Sequence, residues 1–398
     1  MSRLRFTNGR NDWIRFDLAF ENLPLCCPSR ASILTGRYSH RLGIEDNNSG
    51  QKLDESATVA VALKRAGYHT GLFGKYLNRY PFGRGLYVPP GWDDWASFRV
   101  DFSYFDYQLV ENGPVVGRYG HGTEDYSTDV LTKRATAFIE TPRKEPFFLW
   151  LGFNAPHITD LKTPATPAPR HLHSPISLGT RPSFNEADVH DKPAWIRKLP
   201  LVSRKKMDDW RRQEERSLLA VDDGVRGVFD ALTRRGILDR TVVIYMSDNG
   251  FSWGEHRVFG KGCPYEDCIH MPLLVRYPGV PGRHVHQLVS NIDIAPTLAA
   301  IGGARLTQPV DGVSILPFLR GEAPATWRSA VLIRGIKPDQ DDYYGVRTID
   351  HLYVEYATGE RELYDLRRDP FELNNLAGTR PTPLEDRLSK VLTSLRGP

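Results

Sequence analysis

Twelve residues from Cys26 to Arg37 place a nucleophile at the start of a predicted helix, in the run Cys-Cys-Pro-Ser-Arg-Ala-Ser-Ile-Leu-Thr-Gly-Arg. Pro28 suits the first turn of a helix, where no backbone N–H is needed, and Gly36 suits its end. Cys26 would therefore lie beside free N–H groups that favour a bound anion. The same run is also compatible with a buried thiol that precedes a purely structural helix.

Polar side chains follow two apolar runs that are typical of buried strands. Residues 149–153 lead to His157, and residues 241–246 lead to Asp248 and Asn249. Continuous β-branched and aromatic runs indicate strands that are buried on both faces. Because ligands bind outside the carboxyl ends of strands in open α/β sheets, we expect these three side chains to share one edge. Each also has a structural interpretation, since a lone histidine is often structural and Asp-Asn-Gly can form an Asx turn.

Strands and helices alternate over most of the chain. Apolar residues have helical spacing over 56–66 and 215–232, between the strand-like runs. This alternation predicts an α/β fold with a doubly wound, mainly parallel sheet that is flanked by helices. Residues 163–200 are rich in proline and show no period, so they predict a long surface loop near the entrance to the site.

The C-terminal part of the chain has a different pattern. Residues 351–356 and 361–366 predict an antiparallel hairpin, and residues 384–395 predict a final helix. We therefore expect a catalytic domain over residues 1–310 and a smaller α+β subdomain over residues 311–398.

Composition narrows the possible functions. The chain has 398 residues with 52 basic and 48 acidic side chains, and this near balance does not favour a nucleic-acid partner. No run of about 18 apolar residues occurs, so no membrane span is expected. The start of the chain lacks the apolar run of a secretory signal, which predicts a cytoplasmic protein as written, or a secreted or periplasmic one if a leader precedes it. Four cysteines are too few for a disulfide scaffold, and Cys263 and Cys268 either bridge or remain thiols.

The run that begins at Cys26 resembles the signature of the sulfatase family, Cys-x-Pro-Ser-Arg followed by Leu-Thr-Gly-Arg. The resemblance implies an alkaline-phosphatase-like fold and a sulfuric ester hydrolase that acts on a small sulfated substrate. It further implies that a formylglycine-generating enzyme oxidises Cys26 to formylglycine. The hydrate of that aldehyde has two hydroxyls on one carbon. One hydroxyl would attack sulfur, and the other would help to expel sulfate and restore the aldehyde.

Other motifs follow in the order that the family has. A Gly-Lys-Tyr run at Lys75 resembles a Gly-Lys-x-His element, with Leu77 in place of the histidine. An Asp-Asn-Gly run resembles a metal element, in which Asp248 and Asn249 would bind calcium or another divalent cation such as magnesium. His256 is a weaker candidate for substrate binding. The resemblance implies catalytic roles for Cys26, Arg30, Lys75, His157 and Lys261.

Several segments favour the N-acetylglucosamine-6-sulfatase branch of the family. They include Gly-Lys-Tyr-Leu-Asn at 74–78, Pro-Pro-Gly-Trp at 89–92 and Tyr-Ser-Thr-Asp-Val-Leu at 126–131. The favoured substrate is therefore a sulfated sugar, and an aryl sulfate is the second choice.

The family's first metal element is not found in this sequence. Sulfatases open with a strand that ends in paired aspartates, whereas the 25 residues before the signature contain Asp12, Asp17 and Glu21 but no Asp-Asp pair. Asp248 and Asn249 alone should bind calcium poorly, because calcium takes about six to eight oxygen ligands. Loss of this strand would also expose backbone groups of its neighbours in the sheet.

Two other functions remain open. One is a phosphodiester or phosphonate hydrolase on the same fold, which Asn249 disfavours, since phosphate-transferring relatives often carry histidine at that place. The other is a truncated, inactive sulfatase-like protein that binds an anion or a glycan without turnover and without a tightly held metal.

Overall fold

The computed structural model describes residues 12–397 except 101, 161, 338 and 339. The start of the chain, where the sequence predicts no leader, lies outside the described residues. The strands are β1 (Trp13–Phe20), β2 (His69–Gly74), β3 (Asp94–Phe98), β4 (Tyr107–Glu111), β5 (Val115–Tyr119), β6 (Phe147–Gly152), β7 (Val243–Met246), β8 (Ser252–Trp253), β9 (Phe259–Gly260), β10 (Leu273–Arg276), β11 (Arg283–Ser290), β12 (Ala330–Lys337), β13 (Gln340–Thr348), β14 (His351–Tyr356) and β15 (Arg361–Asp365). The α-helices are α1 (Cys26–Thr35), α2 (Ser39–Leu42), α3 (Val59–Arg65), α4 (Ser127–Glu140), α5 (Ala194–Arg197), α6 (Arg204–Arg234), α7 (Glu266–Ile269), α8 (Ile294–Gly302), α9 (Leu316–Arg320) and α10 (Pro383–Arg396).

One four-stranded sheet contains the strand that leads into the signature run. Its order is β11-β1-β10-β7, with β1 parallel to β11 and antiparallel to β10. β7 is antiparallel to β10 and forms one edge of this sheet. Ile14, Phe16 and Val275 are buried together in its core. β1 is therefore anchored on both sides and fixes the short loop that leads to α1.

A five-stranded sheet carries the other strands of the catalytic part, in the order β5-β4-β3-β2-β6. β2 is parallel to β3 and to β6, whereas β3, β4 and β5 are antiparallel. Asn112 and Gly113 both have positive φ in the tight turn between β4 and β5. These two sheets are thus mixed rather than mainly parallel, because the hairpin strands and β10 reverse direction, which a local apolar pattern does not encode.

Helices cover both faces of the five-stranded sheet, as the doubly wound prediction requires. Leu72 of β2 packs in a cluster with residues of α1 and α3, and the adjacent Phe73 packs with residues of α4 and α6. Adjacent strand residues point to opposite faces, so these helices form two layers. α6 extends the predicted helix at its N-terminal end, where the Ser203 side chain accepts a hydrogen bond from the Lys206 N–H. None of the helices in the described part of the chain is long and apolar enough to cross a membrane.

An antiparallel sheet forms the C-terminal part, in the order β12-β13-β14-β15. Its last two strands are the predicted hairpin, which is confirmed. Leu388 of α10 is buried against this sheet. Phe20 of β1 and Val354 of β14 share another core cluster, so the sheet also packs on the catalytic part. The division into residues 1–310 and 311–398 stays a prediction.

The proline-rich segment is a surface loop only in part. Val189, Trp195 and Ile196 are buried in the cluster that also contains C-terminal strand residues. The expectation of a surface loop over all of residues 163–200 is therefore wrong. These apolar side chains fill space between the catalytic part and the C-terminal sheet.

The cysteines fall into two pairs with different states. Cys263 and Cys268 form a disulfide, which decides between the two alternatives that the sequence leaves open. Cys26 and Cys27 are free and buried at the start of α1.

Candidate active site

The signature run forms α1, whose first residue is Cys26. Leu25 precedes the helix in an extended conformation, and Gly36 ends it with a φ of 72°, as the sequence predicts. Cys26 and every other residue of α1 are buried. A helix N-terminus offers unpaired N–H groups and the positive end of the helix dipole, so position 26 favours a negatively charged group.

Lysine side chains increase the positive potential around Cys26. Lys261 Nζ lies 3.1 Å from Cys26 Sγ and 3.3 Å from Asn249 Oδ1. Burial alone would raise the pKa of the Cys26 thiol, but Lys261, Lys75 and a hydrogen bond with His157 outweigh it and hold this pKa well below its usual value. The site therefore stabilises negative charge at the place of the predicted nucleophile.

Lys75 follows directly after β2 and is 4% exposed. Gly74 precedes it with a φ of 104°, and a Cβ at that position would overlap the carbonyl oxygen of Gly152. This close approach lets the Lys75 N–H donate to Gly152 O at 2.8 Å. Lys75 Nζ lies 3.9 Å from the centre of the Phe102 ring. Burial lowers the pKa of Lys75, and the neighbouring Cys26 opposes that effect.

Arg30 connects α1 to the carboxyl ends of β2 and β7. Its Nε donates to Asp248 Oδ2 at 2.6 Å, and a terminal nitrogen donates to the Lys75 carbonyl at 2.6 Å. Burial would raise the pKa of Asp248, but Arg30, Lys75 and Lys261 hold it well below its usual range. Asp248 is therefore a carboxylate whose charge is already balanced by a guanidinium.

His157 lies beyond β6 and turns one ring nitrogen toward the nucleophile. Its Nδ1 is 2.5 Å from the carbonyl oxygen of Ile158 and must donate to it, which leaves Nε2 free to accept a proton. The neighbouring Cys26 would raise the pKa of this ring. Burial and Lys261 lower the pKa of His157, so the neutral ring is favoured. Phe102 packs edge-on against this ring at 4.8 Å between ring centres.

The structure brings together seven of the eight predicted site residues and leaves His256 apart. His256 is fully buried, its Nδ1 is 2.6 Å from Glu186 Oε2, and its ring lies 4.1 Å from that of Tyr265. His256 therefore lies apart from the other seven residues, and its part in substrate binding stays a prediction.

The predicted metal ligands do not fit a calcium or magnesium ion by themselves. Asp248 is paired with Arg30, and Asn249 Oδ1 accepts from Lys261. Calcium takes about six to eight oxygen ligands, and magnesium needs a near-octahedral set. The part of the chain that the structure describes holds no group of three or more His, Cys, Asp or Glu side chains suited to a metal. Asp248 and Asn249 therefore need further oxygen ligands before they could hold a divalent cation.

Sequence analysis missed three side chains at this site. Asn154 follows β6, is 4% exposed, and has no hydrogen-bond partner for either polar side-chain atom. Phe102 covers Lys75, and Glu214 of α6 lines the same cavity as Lys261. Burial raises the pKa of Glu214 well above its usual value, and Lys261 opposes that effect. Asn154 could have been found from its place at a strand end, whereas Phe102 and Glu214 lie in segments without a motif.

Comparison with known proteins identifies the family. The Sulfatase family profile matches residues 3–304, and the profile described as the C-terminal part of N-sulphoglucosamine sulphohydrolase matches residues 254–397. The chain belongs to the sulfatase family. This sulfatase is 34% identical to N-acetylglucosamine-6-sulfatase of Homo sapiens over an alignment of 442 residues. The alignment covers 96% of this chain and 79% of the human protein.

A second relative is much longer than this sulfatase. The extracellular sulfatase SULF-1 homolog of Drosophila melanogaster is 33% identical over 345 residues. The match covers 81% of this chain but only 30% of the fly protein. These relatives confirm the predicted family and its reaction, the hydrolysis of sulfate esters.

Solved structures share the fold of this sulfatase. One, described as a complex with its substrate D-glucosamine-2-N,6-O-disulfate, has a TM-score of 0.82 and 27% identity, and covers 98% of this chain and 90% of that chain. A phosphonate monoester hydrolase of Agrobacterium radiobacter has a TM-score of 0.77 and 23% identity, and covers 97% of this chain and 89% of that chain. The alkaline-phosphatase-like fold is thereby confirmed.

Proposed function

We propose that this sulfatase removes a 6-sulfate from a glucosamine-type sugar after a formylglycine-generating enzyme has oxidised Cys26. The observation that carries the proposal is the place of Cys26 at the N-terminus of α1, where Lys75 and Lys261 favour negative charge. The likeness to N-acetylglucosamine-6-sulfatases, and to a structure with a 6-sulfated glucosamine as its substrate, supports the choice of sugar.

Formylglycine at position 26 would react as its hydrate, which carries two hydroxyl groups on one carbon. One hydroxyl oxygen would attack sulfur and pass its proton to His157, the bond from sulfur to the sugar oxygen would break, and His157 would return the proton to the sugar oxygen. His157 would then accept the proton of the second hydroxyl as the bond between carbon and the sulfate oxygen breaks. Sulfate would leave with the electrons of that bond, the aldehyde would be restored, and water would hydrate it again.

The side chains around position 26 have distinct parts in these steps. Lys75 and Lys261 would bind the sulfate oxygens and stabilise the charge that shifts onto them. His157 Nε2 would accept the proton of the attacking hydroxyl and deliver it to the departing sugar oxygen, since Nδ1 is held by the Ile158 carbonyl. Arg30 would keep Asp248 and the Lys75 backbone in place.

The incomplete set of metal ligands favours one further candidate function. Asp248 and Asn249 do not fit a calcium ion by themselves, so a sulfate- or glycan-binding protein without turnover is the second candidate. Hydrolysis of a phosphodiester or a phosphonate is supported only by the shared fold.

The experiment compares two adjacent cysteines in protein made together with a formylglycine-generating enzyme. Tandem mass spectrometry of the peptide that contains both residues should find the aldehyde at Cys26 and an unchanged thiol at Cys27. Sulfate release from N-acetylglucosamine 6-sulfate should be lost in Cys26→Ser and kept in Cys27→Ser, which is a matched control because both thiols are buried in α1.

Each of the alternative results of this experiment would support a different conclusion about the function. An aldehyde at position 26 with sugar binding but no sulfate release would establish the binding protein. Faster cleavage of a phosphonate monoester than of the sulfated sugar would establish the phosphonate hydrolase. A thiol that persists at Cys26 would remove the proposed nucleophile.

A further inference from the structure

Lys261 lies on a segment that has little rigidity of its own. Gly260 precedes it with a φ of 127°, and Gly262 follows it with a φ of 83°. Because glycine has more conformational freedom than any other residue, a Gly-Lys-Gly run is costly to order. The strand before this lysine, β9, has two residues and pairs with the equally short β8. Contacts from outside the run must therefore hold the Lys261 side chain beside position 26.

A disulfide fixes the C-terminal end of this segment. Cys263 lies two residues after Lys261 and is bonded to Cys268 of α7. Both cysteines are fully buried. They pack in the core cluster that also contains Phe20 of β1 and Val354 of β14. The disulfide therefore joins the glycine-flanked lysine to a well-packed region of the molecule.

α7 in turn contacts the turn that carries a side-chain partner of Lys261. The Gly250 N–H donates to the Cys268 carbonyl at 2.9 Å. A Cβ on Gly250 would lie 2.2 Å from the Asp267 carbonyl oxygen, so the turn and the helix are in close contact. Gly250 directly follows Asn249, whose Oδ1 lies 3.3 Å from Lys261 Nζ. The disulfide thus closes a ring of contacts that begins at the backbone of Lys261 and returns to its side chain.

The C-terminal sheet also holds the lysine segment and α7. The Tyr343 hydroxyl donates to the Gly262 carbonyl at 3.0 Å, and Arg347 Nε donates to a Glu266 carboxylate oxygen at 2.6 Å. Both donors are buried side chains of β13. These bonds should keep the fold together when the disulfide is removed. The expected effect of that removal is therefore a displacement of Lys261 and not unfolding.

We propose that Cys263 and Cys268 are positioning residues of this sulfatase, and that their disulfide holds Lys261 Nζ against the group at position 26. The glycines give the backbone a shape that brings the side chain to the site, and the disulfide restricts that backbone to one conformation. The contact between Lys261 and position 26 is independent of the proposed function. Its consequence for the rate rests on that function, because it requires Lys261 to bind the sulfate oxygens.

The first test titrates the Cys26 thiol in unoxidised protein, so that turnover does not enter the result. Cys263→Ala/Cys268→Ala removes the disulfide and adds no thiol that would titrate. This double variant should raise the pKa of the Cys26 thiol toward its value in Lys261→Met, because Nζ moves away from Sγ. In the Lys261→Met background, removal of the disulfide should cause no further rise, since two changes that act through one contact are not additive.

The second test applies the same cycle to the oxidised enzyme. Removal of the disulfide should lower kcat by about 10–10²-fold, in line with the cost of misplacing a catalytic group by about 1 Å. In the Lys261→Met background the same removal should change kcat by less than about twofold. A disulfide that only stabilises the fold would have the same effect in both backgrounds, so the cycle separates positioning from stability.

Val354→Ala is the matched control for lost stability, because Val354 is buried in the same core cluster as the disulfide. It should lower the midpoint of urea unfolding and leave the Cys26 titration unchanged. Circular dichroism checks that each variant is folded. Cys263→Val/Cys268→Ala keeps more of the buried volume and takes the place of the alanine pair if that pair does not fold.

Two results would overturn the proposal. One is a folded variant without the disulfide in which Cys26 titrates as it does in the parent protein. The other is an effect of the disulfide that is equal in the parent and Lys261→Met backgrounds. By contrast, a parent enzyme that releases no sulfate while the titration follows the expected cycle would refute the proposed function and leave the positioning of Lys261 intact.

Discussion

Cys26 and Cys27 are adjacent in sequence but lie in opposite electrostatic surroundings. Cys26 faces Lys261 and Lys75, which hold the pKa of its thiol well below the usual value against the effect of burial. Cys27 packs among apolar side chains, and burial raises its pKa to about 12. Nucleophilic chemistry is therefore favoured at the first cysteine only, which agrees with the assignment made from the signature.

Removal of the Lys261 charge should weaken this preference. In unoxidised protein, Lys261→Met should raise the pKa of the Cys26 thiol, because Lys261 is the strongest of the groups that lower it. A titration of the ultraviolet thiolate absorbance measures this change. In the oxidised enzyme the same variant should lower kcat by about 10²–10³, the usual effect of losing one group that stabilises transition-state charge.

Lys205→Met is the matched control for this titration. Lys205 is 89% exposed on α6, so its removal should leave both the thiol titration and kcat unchanged. A Cys26 titration that is the same in Lys261→Met and in the parent protein would contradict the assigned contact.

Burial and Lys261 set the pH dependence that we expect from His157. They lower its pKa below the ordinary value of about 6.5, so the neutral, proton-accepting ring persists to lower pH than it would in water. The fall of kcat/KM on the acid side should therefore lie below pH ~6.5. His157→Asn should remove that fall and lower the rate by about 10²–10⁴.

His190→Asn is a suitable control, because His190 is 81% exposed and bonds only to Asp188 among its described contacts. Its pH–rate profile should match that of the parent enzyme. An acid limb that survives unchanged in His157→Asn would show that another group accepts the proton.

At the scale of secondary structure, Gly74 lets β2 and β6 meet closely enough to place Lys75. Its φ is 104°, and a Cβ would overlap Gly152 O, so Gly74→Ala should both strain the backbone and displace Lys75. We expect a loss of stability well above the 1–3 kcal/mol that is typical of backbone strain alone. Urea unfolding and kcat measure the two effects.

Gly67→Ala separates strain from steric overlap. Gly67 also has a positive φ, of 88°, but nothing lies within 4 Å of an added Cβ. This variant should lose only about 1–3 kcal/mol and should keep its activity. Equal losses in the two variants would show that steric overlap with β6 is not important.

The elements show how far local patterns determine this fold. The apolar runs at β6 and β7, the β14–β15 hairpin and α10 were all predictable, because each has its own period and turn residues. The pairing direction of β10 was not predictable, since it depends on distant partners. The position of the site was predictable from polar residues at the ends of strands. Phe102 and Glu214 were not predictable, because tertiary packing brings them to the site.

At the scale of the whole molecule, buried polar contacts join the C-terminal sheet to the catalytic part. The Asn22 side chain donates to the Leu332 carbonyl at 3.2 Å, and the Arg334 N–H donates to the Asn22 carbonyl at 2.8 Å. Lys192 is fully buried, and its Nζ lies 2.7 Å from the Leu373 carbonyl. These contacts predict that both parts unfold together, even though they differ in architecture.

Lys192→Met tests this coupling, because it removes a buried cation and leaves its partners unpaired. Lys192 Nζ lies 3.0 Å from Asp191 and 3.2 Å from Glu186, so the loss should be about 3–5 kcal/mol. Lys198→Met, at an exposed position on the same segment, should change stability by no more than about 0.5 kcal/mol. Urea unfolding followed by circular dichroism and by tryptophan fluorescence should give one coincident transition in all three proteins, with only the midpoint of Lys192→Met shifted. Two separate transitions, of which Lys192→Met moves one, would show that the C-terminal sheet folds as an independent unit and that the buried contacts only dock it.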